Sequence, residues 1–263
     1  MTPNDAAGRL LLVGCGAMAG AMLGRWLATG LDPERVTAVS PSGRAMPPGV
    51  RALREIPAEP FDTVLLGFKP QQLPVVRPGL HAVAPRTLVS ILAGVELAIL
   101  RTLTGAGAVV RAMPNLPVAI GKGVVALHGD ADPRVEALMQ PLGLVERIAD
   151  ERLFDVVTAL AGSGPGFLAR YIDATAAAGV ALGLPEDQAA RLALATVEGS
   201  AILAARSGES PAALADRVAS PGGSTRKGLD VLDANDALVR LVTATLAAAT
   251  RRNAELASAA RAG

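Results

Sequence analysis

From Arg9 to about Ala149 the hydrophobic positions fall in short continuous runs, at residues 10–13, 36–40, 63–68, 87–92, 108–112 and 123–127, with helix-like segments between them. A run with no polar alternation has no face for water, so each is expected as a strand covered on both sides. Strands of this kind joined by helical crossovers build a parallel sheet, and the expected fold class is α/β, doubly wound. From Glu151 onward the strand signals stop. Ala- and Leu-rich segments take over, broken at residues 162–165, 183–185, 207–211 and 220–223, which predicts an all-α half. The expected domains are therefore 1–150 and 151–263, divided by the change of pattern and not by a linker.

Composition changes this picture in one place. Of the 263 residues 51% are hydrophobic, with very few aromatics, and the helical half is especially rich in Ala. Alanine buries little area, so a bundle built from it is weakly stabilised alone, and either intertwining with a second subunit or close Ala-mediated helix packing is expected to compensate. Net charge is +1, without a basic run or an aromatic-studded stripe, so nucleic acid is not an expected partner. The single Cys15 excludes an internal disulfide and a cysteine zinc cluster, which makes cytoplasm the default compartment. The apolar stretch 10–23 is broken by Gly14, Gly16 and Gly20 and lacks a basic leader with a cleavage site, so neither signal peptide nor membrane anchor is expected.

The first strand runs straight into Gly14-Cys15-Gly16-Ala17-Met18-Ala19 and then into a helix-compatible segment. In that context G-x-G-x-x-A predicts a dinucleotide-binding turn. Gly14 permits the tight bend, Gly16 lets a pyrophosphate approach the backbone, and Ala19 allows close helix–strand packing, while the helix start favours phosphate. Cys15 has nothing basic beside it in sequence and reads as a loop filler. Trp26, on the same helix, reads as core or interface. The second strand ends Val39-Ser40-Pro41-Ser42-Gly43-Arg44. No carboxylate stands there to grip ribose hydroxyls, whereas Ser40, Ser42 and Arg44 suit a 2′-phosphate, so the expected cofactor is NADP, with NADPH preferred and NADH possible.

Three further segments place polar or special-backbone residues where strands end or helices begin: Phe68-Lys69-Pro70-Gln71, Arg111-Ala112-Met113-Pro114-Asn115-Leu116-Pro117 and Ser220-Pro221-Gly222-Gly223-Ser224-Thr225. The first two follow the third and fifth expected strands, at the ligand edge of a parallel sheet. In the last, a double glycine opens a helix with Ser and Thr available to cap it, and its backbone N–H groups suit a small carboxylate. Together with Ser90-Ile91-Leu92-Ala93-Gly94 and Ser163-Gly164-Pro165, this ordered series resembles pyrroline-5-carboxylate reductases along nearly the whole chain.

The resemblance implies a Rossmann-type domain followed by a helical dimerisation domain, a homodimer of the kind that also assembles into rings of dimers, and reduction of 1-pyrroline-5-carboxylate to proline. Residue by residue it implies that Ser220, Gly222, Gly223 and Ser224 cradle the substrate carboxylate and that Thr225 hydrogen-bonds the ring nitrogen as the catalytic group. It implies a cofactor lining of Gly14, Gly16, Ala17, Met18, Phe68, Lys69, Pro70, Ala93, Gly94 and Asn115. The sequence departs from that family's pattern at Leu116, Ser224 and Gly166, of which Leu116 removes a polar group.

Imine reduction needs positioning more than a strong acid, and accordingly no His or Lys other than Lys227 lies near the substrate segment. His81 and His128 are expected as surface or capping residues, and Tyr171 as a packing phenol. A β-hydroxyacid or 6-phosphogluconate type dehydrogenase is the enzymatic rival. It resembles this architecture but uses a helical-domain lysine, and the only lysine after Lys122 is Lys227, expected as a surface charge. A non-catalytic NADP-binding paralogue is the other alternative.

Overall fold

The computed structural model describes residues 1–262. The first 163 residues, with 248–262 returning to them, form one compact unit, and residues 164–247 form a second. The divide expected at Asp150 lies inside the first unit. What carries the chain past it is a short 3-10 turn, α6 (Phe154–Val157) and a π-turn at Thr158–Gly162.

The first unit is built on one eight-stranded sheet. In chain order its strands are β1 (Leu10–Val13), β2 (Val36–Val39), β3 (Arg51–Leu53), β4 (Thr63–Leu66), β5 (Thr87–Ser90), β6 (Ala108–Pro114), β7 (Gly123–Gly129) and β8 (Gly143–Arg147). Their spatial order is β3-β2-β1-β4-β5-β6-β7-β8, with the reversal between β1 and β4 that marks a doubly wound, Rossmann-type sheet. Leu10 pairs with Val36 on one side and Thr63 on the other. All pairings are parallel except β6 with β7, which corrects the expectation of a wholly parallel sheet. The connection 115–122 is shorter than the roughly twelve residues that a parallel crossover requires.

Side chains of β1 alternate between two cores. Leu10 and Leu12 join Ala19, Met22 and Trp26 of α2 (Ala17–Ala28). Leu11 and Val13 join Val64, Leu66 and Leu88 on the other face, with Leu80 of α3 (Leu73–Leu80). Two covered faces are what a continuous apolar strand demands. Trp26 is core, as expected on one of the two readings: it is fully buried and its Nε1 donates to the Leu138 carbonyl at 2.7 Å, tying α2 to α5 (Pro133–Met139).

The second unit holds α7 (Gly164–Ala181), α8 (Glu186–Ser207), α9 (Pro211–Val218), α10 (Ser224–Asp233) and the start of α11 (Ala237–Ala262). No residue of α7, α9 or α10 is buried, and α8 buries only Ala189 and Ala193. Leu182, Leu192, Leu194, Val231 and Leu241 all lie at least half exposed. The end of α11 belongs to the first unit: Asn253 donates to the Asp155 carbonyl at 3.2 Å, and Ala257 is buried. Among the described residues no helix is long and apolar enough to cross a membrane.

Candidate functional site

The turn after β1 opens a cleft of about 1220 Å³ at the carboxyl edge of the sheet. Gly14 has φ +85, and a Cβ there would lie 2.8 Å from the Phe68 backbone nitrogen, so the protein itself requires glycine. Gly16 is different. Its φ is −74 and an added Cβ would meet nothing nearer than the Gly67 carbonyl at 3.9 Å. A side chain there would project into open space and not against the protein. Gly16 is also the N-cap of α2 and brings no side-chain cap, which leaves the first N–H groups of that helix for a ligand.

Ala19 packs as its place in the motif predicts. A Cβ on Gly67 would sit 2.8 Å from the Ala19 Cβ and 2.8 Å from the Gly14 carbonyl, so Gly67 is a further member of the turn. Its signal in the sequence is a glycine closing a buried strand opposite the fingerprint. Cys15 is buried, and burial pushes its thiol up, with only partial opposition from the Arg44 charge. An inert filler fits that environment.

Ser40, Ser42, Arg44 and Lys69 all line this cleft, along with Ala17, Met18 and Phe68. The Ser40 and Ser42 hydroxyls stand 3.2 Å apart, and Arg44 Nη1 makes a long contact of 3.5 Å to the Cys15 carbonyl. Two cations and two hydroxyls thus line the same cleft as the uncapped helix start. Ile56, Val75 and Val76 supply an apolar stretch, of the kind that accepts a flat aromatic ring. Arg54 also lines the cleft, and the sequence reading missed it.

The other expected cofactor residues are placed differently. Pro70, Ala93, Gly94 and Asn115 are not among the residues lining the cleft. Pro70 starts a 3-10 turn. Gly94 has φ +74 and a Cβ there would lie 2.9 Å from the Ala257 Cα, so it is a seat for the end of α11. Asn115 is 7% exposed; its amide donates to the Ala161 carbonyl at 3.0 Å and its Oδ1 accepts from the Val124 N–H at 2.8 Å. That side chain clips β6 to β7 and to the Thr158–Gly162 turn. Nearby, Arg111 is 4% exposed and donates to Glu151 at 2.6 Å.

In the second unit, the Gly223 N–H donates to the Ser220 carbonyl at 2.9 Å, and Gly222 adopts φ +72. Gly223 is the N-cap of α10 and no side chain caps it. This corrects the expectation that Ser or Thr would cap: Ser224 and Thr225 are the first two helical residues, both exposed, and their hydroxyls are not engaged as caps. A Cβ on Gly223 would press on the Ser220 carbonyl at 3.1 Å. Lys227 is mostly exposed and pairs with Asp230 at 3.5 Å, a surface charge as expected.

His81 is exposed at the end of α3, and the His128 ring bonds the Ile148 carbonyl through Nδ1 at 2.8 Å. Tyr171 is half exposed within this chain. No group of three or more His, Cys, Asp or Glu suited to a metal occurs among the described residues.

Residues 151–256 match the family described as pyrroline-5-carboxylate reductase dimerisation. The pyrroline-5-carboxylate reductase of a Synechocystis strain is 36% identical, over 94% of this chain and 98% of its own. That of Pseudomonas aeruginosa is 34% identical, over 95% and 97%. Among solved structures, a pyrroline-5-carboxylate reductase from Coxiella burnetii superposes with TM-score 0.83 at 28% identity, covering 94% of this chain and 98% of that one. A Plasmodium falciparum pyrroline carboxylate reductase with NADP bound gives 0.79 at 25%, covering 95% and 98%.

Proposed function

Because this chain belongs to the pyrroline-5-carboxylate reductase family, we propose that its first unit holds the coenzyme and its second unit holds the substrate. The activity is NAD(P)H-dependent reduction of the C=N bond of 1-pyrroline-5-carboxylate to L-proline, the last step of proline biosynthesis. The dimerisation family matched by residues 151–256 makes the protein a homo-oligomer. A homodimer is the proposed unit, with a ring of dimers as its larger form, and the cytoplasm is its proposed compartment.

The observation that carries the coenzyme assignment is the open cradle at Gly16, beside an uncapped helix start and on the same cleft as Ser40, Ser42 and Arg44. When bound, the dihydronicotinamide supplies the hydride. The chain's own part is to position and to neutralise. Gly16, Ala17 and Met18 would take the pyrophosphate on backbone N–H groups, while Arg44 with the two serines would take the 2′-phosphate. Lys69 adds positive charge to the cleft lining.

The Ser220 to Ser224 turn would hold the substrate carboxylate on backbone N–H groups, since the start of α10 carries no side-chain cap of its own. Thr225 would hydrogen-bond the nitrogen of the protonated imine, whose positive charge is cancelled when hydride adds to the ring carbon. Asn115 contributes by clipping the sheet edge to the turn that follows α6, a positioning role.

The test is NADPH oxidation followed on addition of pyrroline-5-carboxylate, run in parallel with NADH. Turnover with a lower KM for NADPH is the expected result. Coenzyme binding without turnover of any imine would make the protein a non-catalytic paralogue.

A further inference from the structure

We infer that Arg54, at the end of the edge strand β3, is a second guanidinium for the coenzyme 2′-phosphate and helps set NADPH over NADH; this deepens, and rests on, the coenzyme reading above. Arg54 follows Leu53 directly, and the Leu53 carbonyl accepts the Ser40 N–H at 2.8 Å. The end of β3 is thereby bolted to the start of the Ser40 to Arg44 turn. Gly43 has φ +69, and the Arg54 Nη2 lies 3.4 Å from the point a Cβ would occupy on it. The guanidinium is laid across the turn that carries Ser40, Ser42 and Arg44, and all four residues line one cleft.

Charge makes this position unusual. The neighbouring Arg51 pairs with Glu59 at 2.5 Å and Arg9 with the same carboxylate at 3.1 Å. Neither Arg54 nor Arg44 has an ion-pair partner among the described residues. Two guanidiniums without a carboxylate partner on the lining of one cleft are suited to a dianion that binds there. A phosphate monoester is such a dianion, and it accepts forked hydrogen bonds from arginine in two directions. Glu55 lines the same cleft but pairs with neither arginine among the described residues. A ribose 2′-hydroxyl offers no charge, so Arg54 contributes little to NADH.

The experiment is fluorescence titration of the intact protein with NADPH and with NADH, in the absence of substrate, for wild type, Arg54→Ala, Arg54→Lys and Arg44→Ala. Arg54→Ala is expected to weaken NADPH by roughly 10- to 100-fold and NADH by less than about twofold. Arg44→Ala should behave in the same way, and Arg54→Lys should fall between. NADPH affinity in the Arg54→Ala variant should also become less sensitive to added salt. Because Arg54 is exposed and unpaired, its melting temperature should match wild type, which separates a binding loss from misfolding. Equal losses for both coenzymes would overturn the inference and make Arg54 an adenine-stacking or structural residue. Unchanged NADPH affinity would also overturn it, as would a wild-type protein that does not distinguish the coenzymes. Binding is read without substrate, so a failure of pyrroline-5-carboxylate turnover would count against the proposed function and leave Arg54 standing.

Discussion

The two units solve the problem of burial in opposite ways. In the first, every residue of β1, β2, β4 and β5 is buried, and two separate cores fill the two faces of one sheet. In the second, α7 and α8 together span 18 and 22 residues yet bury only two alanines, while long aliphatic side chains stand in solvent. At about 1.5–3 kcal/mol for each fully buried Leu or Val, the first unit has the means to hold itself. The second buries far less within this chain, and in the proposed homo-oligomer its exposed apolar side chains would be covered by a second copy. A scaffold that is finished alone suits a cleft that must be preformed. On the proposed function, a second unit completed by another copy would couple substrate binding to assembly.

The sharpest way to break this comparison is to charge the apolar stripe of the second unit. Leu238, Leu241 and Val242 fall on one face of α11 at helical spacing and are all exposed. Leu241→Asp should cost the assembly about 3–6 kcal/mol, because a twofold interface loses the side chain twice. Light scattering should then give monomer, with turnover lost and NADPH binding kept. An oligomer of wild-type size and activity would show that this face is not the one used.

A smaller effect separates two glycines inside the first unit. Gly14→Ala should destabilise by about 2–3 kcal/mol, since it combines a left-handed backbone with a clash against the Phe68 backbone. Gly16→Ala should melt with wild type and lose coenzyme affinity instead. If both variants melt early, Gly16 is structural and the open cradle is not a phosphate site.

The same contrast governs how much was legible in the sequence. The strands that were read correctly, β1 or β4 for example, are those buried on both faces, whose apolar runs have no other explanation. The strands β3 and β8 were missed because most of their residues face solvent and leave no pattern. Arg54 was missed with β3. The antiparallel β7 was read as a strand but given the wrong direction, since a continuous apolar run does not encode direction; the short connection 115–122 does. Gly14, Gly16 and Arg44, expected together from the turns that end β1 and β2, do line one cleft, because local turns at a sheet edge fix their place. Asn115 was recognised by its motif, yet its side chain is spent on Val124 and Ala161, contacts that only the fold brings together.

Next in size is the substrate turn. Since Gly223 and not Thr225 caps α10, Thr225→Ala should melt within about 0.5 kcal/mol of wild type. Its kcat should fall about 10- to 100-fold with a smaller change in KM, as for a hydrogen bond that strengthens when the ring nitrogen changes charge. Gly223→Val, which presses on the Ser220 carbonyl, should mainly raise KM. A Thr225→Ala enzyme with unchanged kcat would remove the assignment.

The smallest expected effect carries the comparison into electrostatics. In the first unit Arg111 is nearly buried, its side chain 5% exposed against 30% for its partner Glu151. Desolvation works against the Glu151 charge, but the Leu97 N–H at 2.8 Å and the Arg111 guanidinium overcome it and hold the carboxyl below its usual range. In the second unit the pair Arg191 and Asp187 is 70% and 74% exposed, where water screens what it gains. A carboxyl whose pKa is lowered on folding binds its proton more readily in the unfolded chain. Its stabilisation is therefore complete above the usual glutamate range and is lost as pH falls through the lowered value. Glu151→Gln should cost about 1 kcal/mol at neutral pH, a figure already reduced for the exposed part of the carboxylate. Asp187→Asn should cost less than about 0.5 kcal/mol. On acidification the gap between wild type and Glu151→Gln should narrow, because protonation removes from wild type what the substitution removes from the variant. Melting curves at neutral pH and below about pH 4 check this. A gap that stays constant with pH would mean that the Glu151 charge is not what ties β6 to the segment after β8.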